Sequence, residues 1–160
     1  MSLIPRVVSV AVLATSLLVS SGCGGIIECT SAPDEAIESF QVTIKTGDDA
    51  TDADIYFCIT RFSAAERDCT KLGLDLDDDF DEGATQDYTV TTAVDAGDLD
   101  GLWVENRGDA PDLSLDGDDW ELEALRVVAQ TASGSVEIVN ADELALQVDA
   151  GEDFDPACSF

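Results

Sequence analysis

The sequence predicts an all-β chain, folded as an antiparallel β-sandwich of about eight strands with two disulfide bonds. Three observations lead to this prediction. Apolar and polar residues alternate through many short runs. Gly and Asp separate these runs at short intervals, as turn residues do. Four of the five cysteines follow an N-terminal export signal, and an even number of cysteines in an exported chain indicates disulfides.

The first 22 residues have the layout of a signal peptide. Arg6 precedes an apolar run from residue 7 to 19, and small residues lead to Cys23. The run is shorter than the roughly 20 residues of a membrane-spanning helix. The cysteine after small residues resembles the lipobox of bacterial lipoproteins, which implies that Cys23 is lipidated and becomes the mature N-terminus. We therefore expect a membrane-anchored lipoprotein of the bacterial cell envelope, with simple secretion as the alternative.

Composition restricts the partners of the mature chain. The net charge is −28, from 35 Asp and Glu against 7 Lys and Arg, and the signal peptide carries none of the acids. Such a chain excludes nucleic acid as a partner and is repelled by anionic lipid, so cations or basic surfaces suit it better. Because 45% of the residues are hydrophobic, the chain is not a disordered acidic tail. We expect a short tether over residues 23–38 and one domain over residues 39–160.

The predicted strands follow in order along the domain. The first run alternates with Phe40, Val42 and Ile44 on one face, and the second places Cys58 on the outer face. Two segments also have helical propensity, residues 120–130 and 33–40. The alternating runs are FQVTIK (40–45), DIYFCIT (54–60), DYTVTT (87–92), GLWVEN (101–106), WELEALRVVA (120–129), SVEIV (135–139) and LALQV (144–148).

The mature cysteines allow three pairings. We favour a local bond between Cys58 and Cys69, which leaves Cys29 and Cys158 to join the two ends of the domain. The sequence has no histidine and the cysteines lie far apart, which argues against a zinc site.

Three acidic loops interrupt the strands, at about residues 46–54, 75–82 and 106–123. Carboxylate and carbonyl oxygens are the ligands that Ca²⁺ takes, whereas a solvated acidic surface is the simpler interpretation of any single loop. One stretch of the third loop also fits EF-hand spacing. It lacks an entering helix and has Asp119 where an apolar residue is usual, so we consider it the weaker calcium hypothesis; its residues are Asp112, Ser114, Asp116, Gly117 and Glu123.

Four segments, in the right order, resemble the PLAT (LH2) domain family. VTIKTGDDATDADIYFCI (42–59) is similar to its V-x-I-x-T-G-D and T-D-A-x-[VI]-Y strands, and FDEGATQDYTV (80–90) to its F-x-x-G-x-x-D-x-F segment. DAGDLDGLWVENRG (95–108) and DDWELEALRVV (118–128) resemble the two segments that follow. The resemblance implies an eight-stranded β-sandwich that binds lipid, membrane or protein partners.

In several members of that family Ca²⁺ lies between the loops at one end of the sandwich. Carried over by position, the resemblance implies metal ligands at Asp49 and Thr51 in the first loop, Asp78 or Asp79 in the second, and Asn106 and Asp109 in the third. It also implies that Trp120 packs in the core. Trp103 lies on the opposite face of its strand from Leu102 and Val104.

The sequence favours a binding module over an enzyme. Without histidine, and with its cysteines oxidised, the chain has no activated nucleophile. We expect a non-catalytic, lipid-anchored module that recognises lipid, membrane or a protein partner with the help of Ca²⁺. The alternative is an acidic structural or interaction lipoprotein without a specific metal site.

Overall fold

The computed structural model describes residues 16–17, 25–51, 53–73, 80–108 and 119–160. These residues form the predicted antiparallel β-sandwich, which confirms the fold class. The strand count exceeds the expected eight because several short strands join the sheets. The strands are β1 (Ser16–Leu17), β2 (Ile26–Cys29), β3 (Ile37–Thr46), β4 (Ile55–Arg61), β5 (Ala64–Lys71), β6 (Thr85–Val90), β7 (Leu99–Asn106), β8 (Trp120–Thr131), β9 (Gly134–Asp142), β10 (Leu146–Val148) and β11 (Asp153–Phe154).

Two sheets pack face to face. The larger sheet has the order β1-β2-β9-β8-β3-β6, with β10 paired to the end of β8, and the smaller has the order β11-β7-β4-β5. The described residues contain no helix, so the helical propensities at residues 33–40 and 120–130 did not prevail. Strand β8 lies between β3 and β9, and pairing on both sides outweighs a preference of a few tenths of a kcal/mol per residue.

The core lies where the alternating pattern predicts it. Phe40, Val42 and Ile44 of β3 face Ile55, Phe57 and Ile59 of β4, and all six side chains are buried. The rings of Phe40 and Phe57 meet across the two sheets with centroids 5.4 Å apart.

The last predicted run departs from its pattern. Leu144 and Val148 are buried as expected, but Leu146 is exposed. Glu143 and Ala145 adopt positive φ angles of 54° and 43°, so the extended backbone that alternation requires begins only at Leu146.

Two disulfide bonds are present, with the favoured pairing. Cys58 on β4 and Cys69 on β5 are direct cross-strand partners, with Cα atoms 4.1 Å apart. Cys29 on β2 is bonded to Cys158 near the C-terminus. Residues 26–29, which the sequence predicts as part of a free tether, instead form strand β2 at the side of β9.

Candidate functional site

Backbone hydrogen bonds bring several loops together at one end of the sandwich. The amide of Gly47 donates to Glu121 O (2.8 Å), and that of Gly83 donates to Gly47 O (3.0 Å). The amide of Arg107 donates to Asp54 O (3.0 Å), which joins loops of the smaller sheet. We call this end the loop end; its described residues are 47–51, 53–54, 80–84, 106–108, 119–121 and 148–152.

Trp120 forms the floor of the loop end. Its side chain is fully buried, and its indole Nε1 donates to the hydroxyl of Thr46 (3.3 Å). The ring also packs against Phe80, with centroids 5.4 Å apart. Phe80 pairs through its backbone with Thr51, so this aromatic contact fixes the described end of the second acidic loop, residues 80–82, beside the first. The core role predicted for Trp120 is therefore the one observed.

Asp49 is the described metal candidate that remains open to an incoming ion. Its side chain is exposed at the loop end, and Oδ2 accepts a hydrogen bond from Gln147 Nε2 (2.6 Å). Its backbone oxygen accepts from the amide of Glu121 (3.1 Å), which fixes the position of the residue. A carboxylate held in place by its backbone is the type of hard oxygen ligand that Ca²⁺ takes.

The side chains of Thr51 and Asn106 already form hydrogen bonds with backbone atoms of the loops. The buried hydroxyl of Thr51 accepts the amide hydrogen of Ala53 (3.0 Å). The buried side chain of Asn106 donates from Nδ2 to Val148 O (2.9 Å), and its Oδ1 accepts from the amide of Gly108 (2.9 Å). The first function of each side chain is therefore to hold its loop.

The remaining predicted site residues lie outside the described residues. These are Cys23, Asp78, Asp79 and Asp109. The EF-hand hypothesis also falls mainly on residues outside the description, but its twelfth position does not. Glu123 belongs to strand β8 and forms an ion pair with Lys45, so it is committed to the sheet.

Every described lysine and arginine has a carboxylate partner within 4.0 Å. The pairs are Lys45–Glu123, Arg61–Asp68, Arg67–Asp153, Lys71–Asp54, Arg107–Glu105 and Arg126–Glu137. The remaining cation of the chain, Arg6, lies in the predicted signal peptide. Within the described part of the chain, no cation is left for the exposed loop-end carboxylates Asp48, Asp49, Asp81 and Glu82.

The outer face of the smaller sheet carries a cluster that the sequence analysis did not single out. The guanidinium of Arg107 lies 4.0 Å from the centroid of the Tyr56 ring, and a hydrogen bond to Glu105 (3.1 Å) raises the pKa of Arg107 above its ordinary value. The Glu105 carboxylate also lies near the sulfurs of Cys58 and Cys69, but the disulfide occupies both sulfurs, so these three residues do not form a metal site. The alternation along β4 and β7 predicts that these residues share one face of the sheet. It does not predict the distances between their side chains.

Among the described residues, no helix is long and apolar enough to cross a membrane. No curated protein sequence matches the chain.

Several solved structures share the fold. The alpha toxin of Clostridium absonum matches 78% of this chain with a TM-score of 0.62 and 20% identity, and the alpha-toxin of Clostridium perfringens matches the same share with a TM-score of 0.60 and 16% identity. A lipoxygenase (LOX) variant matches 76% of this chain with a TM-score of 0.51 and 25% identity. The chain spans 32% of each toxin and 16% of the lipoxygenase, so it corresponds to a single module of these larger proteins.

A family profile described as PLAT/LH2 domain matches residues 40–144, which is more than half of the chain. The match covers strands β3 to β9 and the described loop-end segments between β3 and β8. The chain belongs to the PLAT/LH2 family.

Proposed function

We propose that the protein is an exported, non-catalytic binding module, anchored by a lipid on Cys23, that docks on a membrane or protein surface with Ca²⁺ held at its loop end. One observation carries this proposal. Loops from both sheets converge at one end with exposed carboxylates, while every described lysine and arginine is paired elsewhere or with Asp54. The charge balance of the loop end therefore needs a cation from outside the chain.

Calcium suits this need better than a diffuse ion atmosphere. Ca²⁺ accepts six to eight oxygen ligands with flexible geometry, and carboxylates from neighbouring loops supply them. Asp49 is the described residue that offers such an oxygen, and the sequence positions Asp78, Asp79 and Asp109 extend the ligand set in this proposal. Bound Ca²⁺ removes local negative charge and bridges to phosphate or carboxylate groups of the surface approached.

The strand pairing supports the orientation that membrane docking requires. Ile26 pairs with Asp142, the last residue of β9, and the preceding residues of β9 pair with β8 next to the loop end. Three residues of extended chain span about 10 Å, so a lipid on Cys23 would hold Ile26 close to the membrane. The anchor and the acidic loops then face the same surface.

A second candidate is an acidic interaction lipoprotein without a specific metal site. The observation in its favour is that Thr51 and Asn106 already use their side-chain oxygens within the loops. In that case the loop-end charge would only be screened by salt, and Ca²⁺ and Mg²⁺ would act alike at equal ionic strength.

Flotation with lipid vesicles tests the proposal. The Cys23→Ser chain, which lacks the anchor, is mixed with vesicles containing phosphatidylserine in Ca²⁺, in Mg²⁺ or in chelator. We expect flotation in Ca²⁺ alone, and its reduction by Asp49→Asn. The matched control is Asp87→Asn, whose carboxylate accepts a hydrogen bond from Thr43 on the larger sheet. Equal flotation in Ca²⁺ and Mg²⁺, or equal loss in both variants, would exclude a specific site at the loop end.

The anchor has a separate test. Intact-mass measurement of the membrane fraction should show a diacylated N-terminal Cys23, and Cys23→Ser should release the protein from membranes. Membrane association that is unchanged by this substitution would contradict the anchor without bearing on the loop end.

A further inference from the structure

The disulfide bond between Cys58 and Cys69 joins the edge strand of the smaller sheet to its neighbour. Within the described sheets, β5 pairs with β4 alone, and the two cysteines are direct cross-strand partners. The two residues differ in access, because Cys58 is fully buried whereas Cys69 is partly exposed. A reductant therefore reaches the bond from the side of Cys69. No part of the calcium proposal uses this bond.

The carboxylate of Glu105 lies against the buried sulfur of this bond. Its Oε2 atom is 3.5 Å from Cys58 Sγ, and 19% of the Glu105 side chain is exposed. A disulfide sulfur carries no proton, so this contact is not a hydrogen bond. The same oxygen accepts a hydrogen bond from Nη2 of Arg107 (3.1 Å), which neutralises part of its charge. The charge next to the disulfide is therefore set by two residues of opposite sign.

Reduction of the bond by a thiol proceeds through displacement at sulfur. A thiolate attacks Cys69 Sγ and forms a mixed disulfide, while the electron pair of the broken bond leaves on Cys58 Sγ. A second thiolate of the reductant then displaces Cys69 from the mixed disulfide. Two reductant thiols thereby become one disulfide, and the protein gains two electrons and two protons as two thiols. The first step places negative charge on a buried sulfur 3.5 Å from the Glu105 carboxylate.

Two features of the site make Cys58 a poor leaving group. Burial removes the water that would solvate the departing thiolate, and the carboxylate of Glu105 repels it. Repulsion between charges this close is weakly screened by salt when the site is partly buried. The leaving sulfur carries only part of its charge in the transition state, and Arg107 offsets part of the field. We therefore expect the carboxylate to slow the step by about tenfold.

We propose that Glu105 protects the Cys58–Cys69 bond against thiol–disulfide exchange and so keeps the edge strand β5 joined to its sheet when thiol reductants are present. Arg107 sets the strength of this protection, because it neutralises part of the carboxylate charge. The second disulfide provides a comparison within the same molecule. Among the described residues, no carboxylate oxygen lies within 4.8 Å of both sulfurs of Cys29–Cys158. The proposal requires neither the lipid anchor nor Ca²⁺.

The rate of reduction by dithiothreitol tests this proposal. The Cys23→Ser chain is used because it contains no cysteine outside the two disulfides. Samples are alkylated at intervals, and mass spectrometry of the peptides gives a separate rate for each disulfide. We expect Glu105→Gln, which keeps the shape of the side chain, to accelerate reduction of Cys58–Cys69 about tenfold. The rate at Cys29–Cys158 should stay unchanged in the same sample.

Two further variants separate charge from burial. Arg107→Gln should slow reduction of Cys58–Cys69 about threefold, because it leaves the full charge of Glu105 beside the sulfur. Glu137→Gln removes a carboxylate from an ion pair on the larger sheet and should leave both rates unchanged. An unchanged rate in Glu105→Gln would show that burial alone protects the bond, and equal acceleration of both disulfides would show a loosened fold. Either result overturns the proposal, as does a change of the same sign in Glu105→Gln and Arg107→Gln.

Discussion

The two ends of the sandwich hold negative charge differently. Near the end opposite the loop end, Asp68 pairs with Arg61 at 2.9 Å, and Asp98 accepts from the amide of Ser63 at 2.7 Å. At the loop end, no described lysine or arginine pairs with the exposed carboxylates Asp48, Asp49, Asp81 and Glu82.

This difference separates charge that maintains the fold from charge that is available to a ligand. An exposed acid with a partner contributes little stability, but it leaves no unbalanced field. Several acids without a described lysine or arginine partner lie on converging loops and repel one another. The backbone hydrogen bonds, the aromatic floor and the Gln147–Asp49 hydrogen bond hold the loops together in spite of that repulsion. The buried contacts therefore stabilise the loop end, whereas repulsion among its exposed carboxylates destabilises it. A bound cation would reduce that repulsion.

The largest expected effect comes from removing the floor. Trp120→Ala should lower the free energy of unfolding by about 4 kcal/mol, because it leaves a cavity under the loops and the hydroxyl of Thr46 loses its donor. Phe62→Ala is the control at the opposite end, where the ring is 64% exposed, and should change stability by less than about 0.5 kcal/mol. Urea denaturation measures both. Similar values for the two variants would contradict the structural role given to Trp120.

A smaller effect is expected for the polar clamp of the loop end. Asn106→Ala leaves Val148 O and the amide of Gly108 without their buried partner and should cost about 2 kcal/mol in calcium-free buffer. Denaturation in chelator isolates this cost from any ligand effect. If the variant loses stability only when Ca²⁺ is present, Asn106 is a metal ligand and not a clamp.

The smallest expected effect tests whether the exposed loop-end carboxylates destabilise the fold. Neutralising Asp48 and Asp81 together should raise the melting temperature by about 2 °C in low salt without calcium, because it relieves repulsion between unpaired charges. Neutralising Asp87 and Glu137 makes the same charge change on the larger sheet, but it removes acceptors of Thr43 and Arg126 and should not raise it. Calorimetry in low and high salt measures both pairs. A rise of equal size in both would attribute the effect to net charge alone.

The sequence predicts the body of the sandwich better than its margins. Alternation identifies the core strands because one face of each must be buried. Strand β3 obeys this from Phe40 onward, and β4 departs from it at the disulfide-bonded Cys58, which is buried on the outer face. Alternation does not predict whether β8 is a strand or a helix. Its residues have helical propensity and become extended through pairing with β3 and β9. Nor does it identify β2, because four residues with a glycine-rich flank carry too little pattern.

The sites are predicted less completely for a different reason. The family resemblance finds Asp49, Thr51 and Asn106 by position, but only the three-dimensional structure shows that the last two already bond to neighbouring backbone atoms. The burial of Trp103, which is only 7% exposed although it lies on the outer face of β7, is likewise invisible in the sequence, since it depends on which strands lie beside it.

Thermal unfolding in the presence of each divalent cation tests the central claim most directly. The protein and its Asp49→Asn variant are melted in CaCl₂, in MgCl₂ at equal ionic strength, and in chelator, with Asp87→Asn as the matched control. Specific binding predicts that Ca²⁺ stabilises the fold by about 2.7 kcal/mol at a free concentration one hundred times Kd. We expect this gain to be absent in Mg²⁺, reduced in Asp49→Asn and intact in Asp87→Asn. Equal, small increases with Ca²⁺ and Mg²⁺ in all three proteins would show that the loop-end charge is merely screened and would contradict a calcium site there.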